Sequence, residues 1–394
     1  MKYASVTDRL DGLGGAKWAV HARAREMKAN GHMIIELTIG EPDVPTPDVF
    51  KDAVKAALDA NRTGYSNGRG EPETLTAIAR RYSNRVGRRI DSDQILCLPG
   101  TQTALYTVLM GLVERGDEVI IGDPMYATYA GLIAATGAGM VPVPLRPEKG
   151  FVMQAADVAP LITPRTRVLF LNSPHNPTGA VLARSDLQAL GTLARAHDLW
   201  ILCDEVYEEM LFPGTGFVSP LAMQDLAERV VIVSSISKSH AAPGFRSGWC
   251  IGPAEFITRL LPVSETMLFG SQPFIADMTA LAVSAPSPVA ADMAERFARR
   301  ADLIAARLDG RAGLGVHRPK AGMFMLVDVR ASGLSGTEFA LGLLDRQHVA
   351  VMPGESFGAA LAGWVRLALT QPDALIDQAC SRILAHVVEM KEAA

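Results

Sequence analysis

Between about residue 46 and residue 285 the chain alternates short apolar runs with turns and amphipathic stretches. The strand-like runs are 94–98, 118–122, 140–143, 167–171, 199–204, 230–234 and 248–252. Several are apolar on both faces, as are strands that helices cover on each side. The stretches between them, such as 101–113 and 184–197, have helical spacing. This pattern predicts a doubly wound, mainly parallel α/β domain.

A second, smaller domain is predicted from the two ends of the chain. Two prolines within residues 284–288 interrupt the alternation. Beyond them we expect helices at 289–308, 336–346 and from about 372, with strands at 323–329, 349–352 and 364–368. The N-terminal segment predicts a helix over 16–30 closed by Gly31 and a strand over 34–38, before a proline-rich loop at 40–47 that crosses between domains. We therefore expect a large α/β domain of residues 46–285 and a smaller α+β domain of residues 1–45 and 286–394.

Composition limits the kind of protein. The 394 residues are 48% hydrophobic and 20% charged, which is typical of a soluble globular protein. The net charge of −4 gives no reason to expect nucleic acid or a membrane as partner. The scattered cysteines, Cys97, Cys203, Cys250 and Cys380, are expected to be buried reduced thiols rather than disulfides or a metal site. Without a signal peptide or an apolar run of about 18 residues, we expect a cytoplasmic protein.

One lysine lies just after the apolar run 230–233, in the sequence Ser234-Ser235-Ile236-Ser237-Lys238-Ser239-His240, and Arg246 follows it eight residues later. A lysine there can form an imine with an aldehyde, and an arginine nearby can bind a phosphate through two parallel hydrogen bonds. Pyridoxal 5'-phosphate carries both groups. A lone Ser-x-Lys is more often a solvated surface lysine, but four further motifs upstream favour the cofactor.

Two of these motifs lie where predicted strands end. Gly100-Thr101-Gln102 opens a helix, whose first backbone N–H groups suit a phosphate. Tyr126 follows another strand, where an aromatic ring could stack on a flat cofactor. Taken singly, the first is an ordinary strand–helix turn and the second an ordinary packing residue.

The other two motifs end the next strands along the chain. In Asn172-Ser173-Pro174-His175-Asn176-Pro177-Thr178-Gly179, two prolines stiffen a loop that presents the Asn176 amide to a phenolic oxygen. Asp204 ends the most apolar strand, where a carboxylate is costly unless it meets a cation or a donor. A pyridine nitrogen is such a partner, and Tyr207 could reach the phenolic oxygen. Alternatively, or in addition, Asp204 caps a helix that starts at Glu205.

Together these motifs resemble, in order and from end to end of the chain, the class I and II aminotransferases of fold type I, the aspartate aminotransferase superfamily. The resemblance implies a pyridoxal-phosphate enzyme that transfers amino groups by a ping-pong mechanism. It also implies a homodimer with shared active sites, acting on an amino acid and a 2-oxo acid.

The resemblance assigns a role to each motif residue. Lys238 would be the catalytic, Schiff-base lysine. The cofactor would be held by Gly100, Thr101, Gln102, Tyr126, Asn176, Asp204, Tyr207, Ser235, Arg246 and, from the neighbouring subunit, Tyr65. Arg366 would bind the substrate α-carboxylate in a pocket lined by Gly40, with Asn176 nearby. Arg69, in the loop of Tyr65, is either a distal substrate ligand or a solvated loop residue. No metal is implied.

The substrate is less constrained than the cofactor. His240 and His175 depart from the commonest pattern and resemble the branch that includes bacterial arginine–pyruvate transaminase, as do residues 267–271 and 322–328. That branch also resembles aspartate aminotransferases, and Arg69 would suit a distal carboxylate. We expect aspartate with 2-oxoglutarate first, arginine with pyruvate second, and a broad range in either case. Two competing functions are a β-lyase or decarboxylase on the same fold and a non-enzymatic regulator; the latter would need a basic DNA-binding segment that this N-terminus lacks.

Overall fold

The computed structural model of the chain describes residues 1–13 and 16–393. Its strands are β1 Ile35–Leu37, β2 Ile95–Leu98, β3 Glu118–Asp123, β4 Gly139–Pro144, β5 Thr166–Asn172, β6 Trp200–Asp204, β7 Val230–Ser235, β8 Gly248–Ile251, β9 Gly315–His317, β10 Phe324–Asp328, β11 Val349–Pro353 and β12 Trp364–Ala368. Its α-helices are α1 Ser5–Leu10, α2 Ala19–Ala29, α3 Asp48–Asp59, α4 Pro72–Val86, α5 Gly100–Leu112, α6 Tyr129–Thr136, α7 Ala155–Val158, α8 Arg184–Ala196, α9 Ala254–Met267, α10 Pro273–Val283, α11 Ala290–Leu308, α12 Gly336–Gln347 and α13 Asp373–Ala393.

The large sheet has seven strands in the order β2-β8-β7-β6-β5-β3-β4. All neighbours are parallel except those of β8, which runs antiparallel to both β2 and β7. The central strand β7 is buried throughout, because helices cover the sheet on both faces. The doubly wound, mainly parallel α/β fold predicted from the sequence is confirmed.

The smaller sheet has the order β1-β11-β12-β10-β9, and it joins the N-terminal strand to strands from the C-terminal part of the chain. Its apolar residues form a core with α11, α12 and α13. The short strand β9 was not predicted. The expected N-terminal helix also begins later than residue 16, since residues 16–18 form a 3₁₀ turn before α2. The domain boundaries at residues 45/46 and 285/286 stay a prediction.

The topology brings several chain segments to one edge of the large sheet. The parallel strands β5, β6 and β7 end there at Asn172, Asp204 and Ser235, and α5 starts there at Gly100. In open α/β sheets, ligands bind outside the carboxyl ends of the strands. The smaller sheet approaches the same edge, with Arg366 in β12 paired opposite Leu326 of β10 and Met352 of β11.

Candidate active site

A cavity of about 280 Å³ opens at this edge of the large sheet. Both sheets contribute to it, and its lining is mixed apolar and polar, as in small-molecule sites. It is lined by Trp18, Ile39, Gly40, Thr101, Gln102, Leu105, Tyr126, Tyr129, Asn176, Asp204, Val206, Tyr207, Ser237, Lys238, Pro243, Arg246, Phe324 and Arg366.

The Lys238 amine lies inside this cavity, in the loop that follows β7. Its Nζ donates a hydrogen bond to the Gly40 carbonyl oxygen over 2.6 Å. Burial, together with the Arg366 and Arg246 charges, lowers the pKa of Lys238 to about 8, although the Glu41 and Asp204 charges oppose the shift. About a tenth of the amine is therefore neutral at pH 7, and this neutral form is able to act as a nucleophile or a base.

Asp204 ends β6 with a buried carboxylate. Its Oδ2 accepts a hydrogen bond from the Tyr129 hydroxyl at 2.7 Å, and its Oδ1 accepts one from the Val206 backbone N–H at 3.0 Å. Burial raises the pKa of Asp204 to about 6, so a cationic partner would stabilise its charged form. The expected helix at Glu205 is wrong, because residues 206–209 form turns; Asp204 caps a turn there instead.

Asn176 connects the two ends of the cavity. Its Oδ1 accepts a hydrogen bond from Arg366 Nη1 at 3.1 Å, which requires the amide nitrogen to point the other way. That nitrogen lies 3.5 Å from the Tyr207 hydroxyl, to which it donates. The Asn176 amide nitrogen and the Tyr207 hydroxyl are therefore neighbours. Two groups placed in this way could both donate hydrogen bonds to one ligand oxygen.

Arg366 is 2% exposed and lies between two aromatic rings. Its Cζ is 3.8 Å from the Phe324 ring centre and 4.4 Å from that of Phe357. Nη2 donates to the Thr38 carbonyl at 2.6 Å, whereas the buried Nε has no hydrogen-bond partner among the described residues. Burial lowers the pKa of Arg366 to about 10, but the group stays cationic at neutral pH. A buried cation with an unused donor is suited to bind an anion.

Gly40 leaves room for this stack. A Cβ atom at Gly40 would overlap the Phe324 ring. Since Phe324 covers Arg366, and the Gly40 carbonyl binds Lys238, a larger residue here would disturb both cationic groups.

A second cationic corner of the cavity lies where α5 begins. Gly100 has φ +79°, and a Cβ there would overlap the Arg246 guanidinium. Arg246 donates to the Pro243 carbonyl at 2.8 Å and has no carboxylate partner among the described residues. The Thr101 hydroxyl donates to Ser235 Oγ at 2.9 Å. Ser235 itself is buried one layer behind the cavity lining.

Two predicted residues form the rim of the cavity. The ring of Tyr126 meets that of Tyr129 edge to face, with centres 5.5 Å apart. Gln102 Oε1 accepts a hydrogen bond from the Thr128 hydroxyl at 3.0 Å, which fixes the side chain at the start of α5. A flat ring bound near Lys238 would have Tyr126 beside it.

Two other predicted residues do not line the cavity of their own chain. Tyr65 is 92% exposed, and its ring contacts that of Phe269 edge to face. Arg69 Nη1 donates to the Asp93 carbonyl at 2.6 Å, away from Lys238.

The two unusual histidines are structural neighbours of the site. His240 Nε2 donates to the Ala282 carbonyl at 3.0 Å, so its Nδ1 accepts from Ser239 Oγ at 2.8 Å. His175 Nδ1 lies 2.7 Å from the Thr178 hydroxyl. Burial lowers the pKa of each histidine to about 4, so both are neutral at physiological pH.

The structure adds site residues that sequence reasoning missed. Tyr129, Phe324 and Phe357 contact the key charged groups, and Trp18 lines the cavity from the N-terminal segment. Tyr129 is the first residue of α6 and Tyr126 precedes that helix, so no helical spacing in the sequence marks Tyr129. Trp18 and Phe357 carry no local signal.

Comparison with known proteins identifies the family to which the chain belongs. The family model for aminotransferase class I and II matches residues 32–383. The chain belongs to the class I and II aminotransferases. It is 44% identical over 390 residues to the arginine–pyruvate transaminase of Pseudomonas aeruginosa, covering 99% of each chain. It is 34% identical over 369 residues to the aspartate/prephenate aminotransferase of Thermus thermophilus, covering 92% of this chain and 94% of that one.

Solved structures agree with this assignment. The aspartate aminotransferase of Rhizobium meliloti superposes with a TM-score of 0.93 at 29% identity, covering 98% of this chain and 99% of that one. A single mutant of the Thermus thermophilus aspartate aminotransferase superposes with a TM-score of 0.91 at 31% identity, covering 98% of this chain and 100% of that one. The predicted family and fold type are confirmed, and the chain is an aminotransferase acting on amino and 2-oxo acids.

Two findings concern other kinds of site. In residues 1–13 and 16–393, no helix is both long and apolar enough to cross a membrane. The same residues contain no cluster of three or more histidine, cysteine or acidic side chains that could hold a metal ion.

Proposed function

We propose that this protein is a homodimeric, pyridoxal-phosphate-dependent aminotransferase that uses L-arginine as amino donor and pyruvate as acceptor. The observation that supports this choice of substrates is the 44% identity over 390 residues to an arginine–pyruvate transaminase. Aspartate with 2-oxoglutarate is the second candidate, favoured by the aspartate aminotransferases among the relatives. The domain division given above is part of the same proposal.

The donor set of the cavity fits the cofactor. Arg246, Thr101, Ser235 and the start of α5 would hold the phosphate, beside the Lys238 amine. Asp204, whose pKa burial raises, would bind the pyridine nitrogen as its cationic partner. Asn176 and Tyr207 would bind the phenolic oxygen, and Tyr126 would stack on the ring, with Gln102 and Gly100 nearby. When bound, the cofactor supplies an electron sink for the substrate α-carbon.

The chain's own groups then position the substrate and move its proton. Arg366 would bind the α-carboxylate, because its Nε is a buried donor without a partner. Lys238 Nζ would accept the α-proton in its neutral form, which its lowered pKa makes available near pH 8. Arg366 donates a hydrogen bond that fixes the Asn176 side chain. Asn176 would therefore keep the substrate carboxylate and the cofactor ring in a fixed position relative to each other.

The cavity lining favours a substrate without a second carboxylate. Its cations, among the described residues, are Lys238, Arg246 and Arg366, and each has a proposed role already. A dicarboxylate specialist needs a further cation. In its own chain Arg69 is bound to the Asp93 carbonyl, so Arg69 could supply that charge only from a partner subunit.

We expect arginine to convert the cofactor faster than aspartate or glutamate in single half-reactions. The measurement follows loss of visible absorbance after mixing the loaded protein with each of the twenty amino acids, without an acceptor. If aspartate reacts faster than arginine, aspartate with 2-oxoglutarate becomes the function. Alanine, the product expected from pyruvate, should react in the same assay and serves as a positive control.

We also expect two subunits to share each site through Tyr65. The Tyr65 and Phe269 rings contact each other and are 92% and 61% exposed. A partner subunit would cover such an exposed aromatic pair. Light scattering should give a dimer, and Tyr65→Ala should weaken cofactor retention. Mixing Tyr65→Ala with Lys238→Ala chains should restore activity, because one site of the mixed dimer then has both side chains. A fully active monomer, or mixing without any recovery, would exclude shared sites.

A further inference from the structure

A wide groove lies beside the cavity. The groove is lined by His21, Arg25, Lys28, Glu36, Ile39, Glu41, Pro42, Asp43, Thr370 and Gln371. Ile39 lines both the cavity and the groove, so the two lie on either side of this residue. An extended substrate side chain leaving the α-carbon near Lys238 would pass Ile39 and Trp18 and enter the groove.

Most of the acidic groups in this groove are already paired. Glu36 forms ion pairs with His21 and Lys28. Asp43 is bound by Arg296 at 2.8 Å and by Arg300 at 2.7 Å. These carboxylates hold the N-terminal segment and the loop after β1 in place, and their charge is balanced within the protein.

Glu41 differs from them. It is exposed, and its carboxylate has no hydrogen-bond or ion-pair partner among the described residues. It directly follows Gly40, whose carbonyl oxygen binds the Lys238 amine. Its negative charge also opposes the lowering of the Lys238 pKa. Among carboxylates this effect of Glu41 is the larger, ahead of that of Asp204. An uncompensated negative charge therefore lies close to the reacting groups, on the groove side.

We propose that Glu41 determines specificity for a cationic side chain by binding the distal guanidinium of arginine in the groove. A carboxylate can accept two parallel hydrogen bonds from a guanidinium, which adds direction to the attraction between the charges. Arg366 would hold the α-carboxylate at the other end, while Ile39 and Trp18 would contact the aliphatic chain between. This inference rests on the proposed arginine function and adds the residue that recognises the side chain.

Arg25 is the competing group in the groove. It is exposed and has no partner among the described residues, so it could bind a distal carboxylate instead. However, Arg25 belongs to α2 and lines only the groove, whereas Glu41 is adjacent in sequence to the cavity lining. Position therefore favours Glu41 as the group that meets a substrate held by Arg366.

The test compares arginine with citrulline, which has the same length but a neutral end group. In Glu41→Gln we expect kcat/KM for arginine to fall about tenfold, as for loss of a charged hydrogen bond, while citrulline and alanine change by less than about twofold. The ratio of arginine to citrulline cancels any effect of Glu41 on the Lys238 pKa, because that effect acts on every substrate. A second measurement uses cofactor-loaded Lys238→Ala protein with and without the Glu41→Gln change. Calorimetry should show that Glu41→Gln weakens equilibrium binding of arginine by the same factor and leaves binding of citrulline and alanine unchanged.

Two controls separate the outcomes. Glu26→Gln removes the same charge from an exposed residue of α2 outside the groove, and Arg25→Gln removes the competing cation; both should leave the ratio of arginine to citrulline unchanged. An unchanged ratio in Glu41→Gln, or an equal loss for all three substrates, overturns the proposal. If the wild-type protein converts aspartate but not arginine, the proposed function itself fails, and this is visible before any variant is made.

Discussion

Replacing Lys238 with alanine is expected to reduce transamination by at least about 10⁴-fold. The change removes both the amine that would bind the cofactor aldehyde and the base that would accept the substrate α-proton. Its pKa of about 8 makes the wild-type amine suited to both tasks near neutral pH. Steady-state rates of alanine formation from pyruvate, with arginine as donor, measure the loss.

The same variant should stay folded. The Lys238 side chain contributes one hydrogen bond, to the Gly40 carbonyl, and its removal relieves the cost of burying an amine. Thermal unfolding should therefore change little. Lys238→Arg serves as a charge-retaining control and should be equally inactive, because a guanidinium cannot form the imine or act as a base near neutral pH. Turnover like that of the wild type in Lys238→Ala would remove Lys238 from the mechanism.

Asp204→Ala is expected to lower the rate by about 10²–10³-fold and to weaken cofactor binding. The Asp204 carboxylate is the buried anion that would keep the pyridine nitrogen protonated, and without it the ring withdraws electrons poorly. Burial raises the pKa of Asp204 to about 6, so a cationic partner such as a protonated pyridine nitrogen would stabilise the charged carboxylate. Rates and cofactor dissociation constants are both needed to measure the effect.

Asp204→Asn distinguishes this role from a purely structural one. The amide oxygen can still accept the hydrogen bond that Asp204 Oδ1 now takes from the Val206 N–H, so the turn after β6 is kept. If only the turn matters, the asparagine variant should be nearly as active as the wild type. If the negative charge matters, it should be nearly as slow as the alanine variant.

The residues that could be predicted from the sequence are those with a local signal. Lys238, Asp204 and Asn176 each follow a short apolar strand, and parallel strands end at a common edge of the sheet. That rule alone places them near one another, and all three line one cavity.

The remaining features depend on contacts between distant parts of the chain. The stack of Arg366 between Phe324 and Phe357, and the hydrogen bond from Tyr129 to Asp204, arise only from tertiary packing. The helix expected after Asp204 fails for a related reason. Residues 206, 207 and 210 are drawn into the core of the smaller sheet, and this packing favours turns over a continuous helix.

The most direct test of this account is to locate the cofactor on the chain. Borohydride reduction of the protein loaded with pyridoxal phosphate should fix the pyridoxyl group to its lysine, and mass spectrometry of the peptides then identifies the site. We predict one modified residue per chain, Lys238, with loss of the visible absorbance on reduction. A label on any other lysine, or a chain that retains no pyridoxal phosphate, would contradict the account.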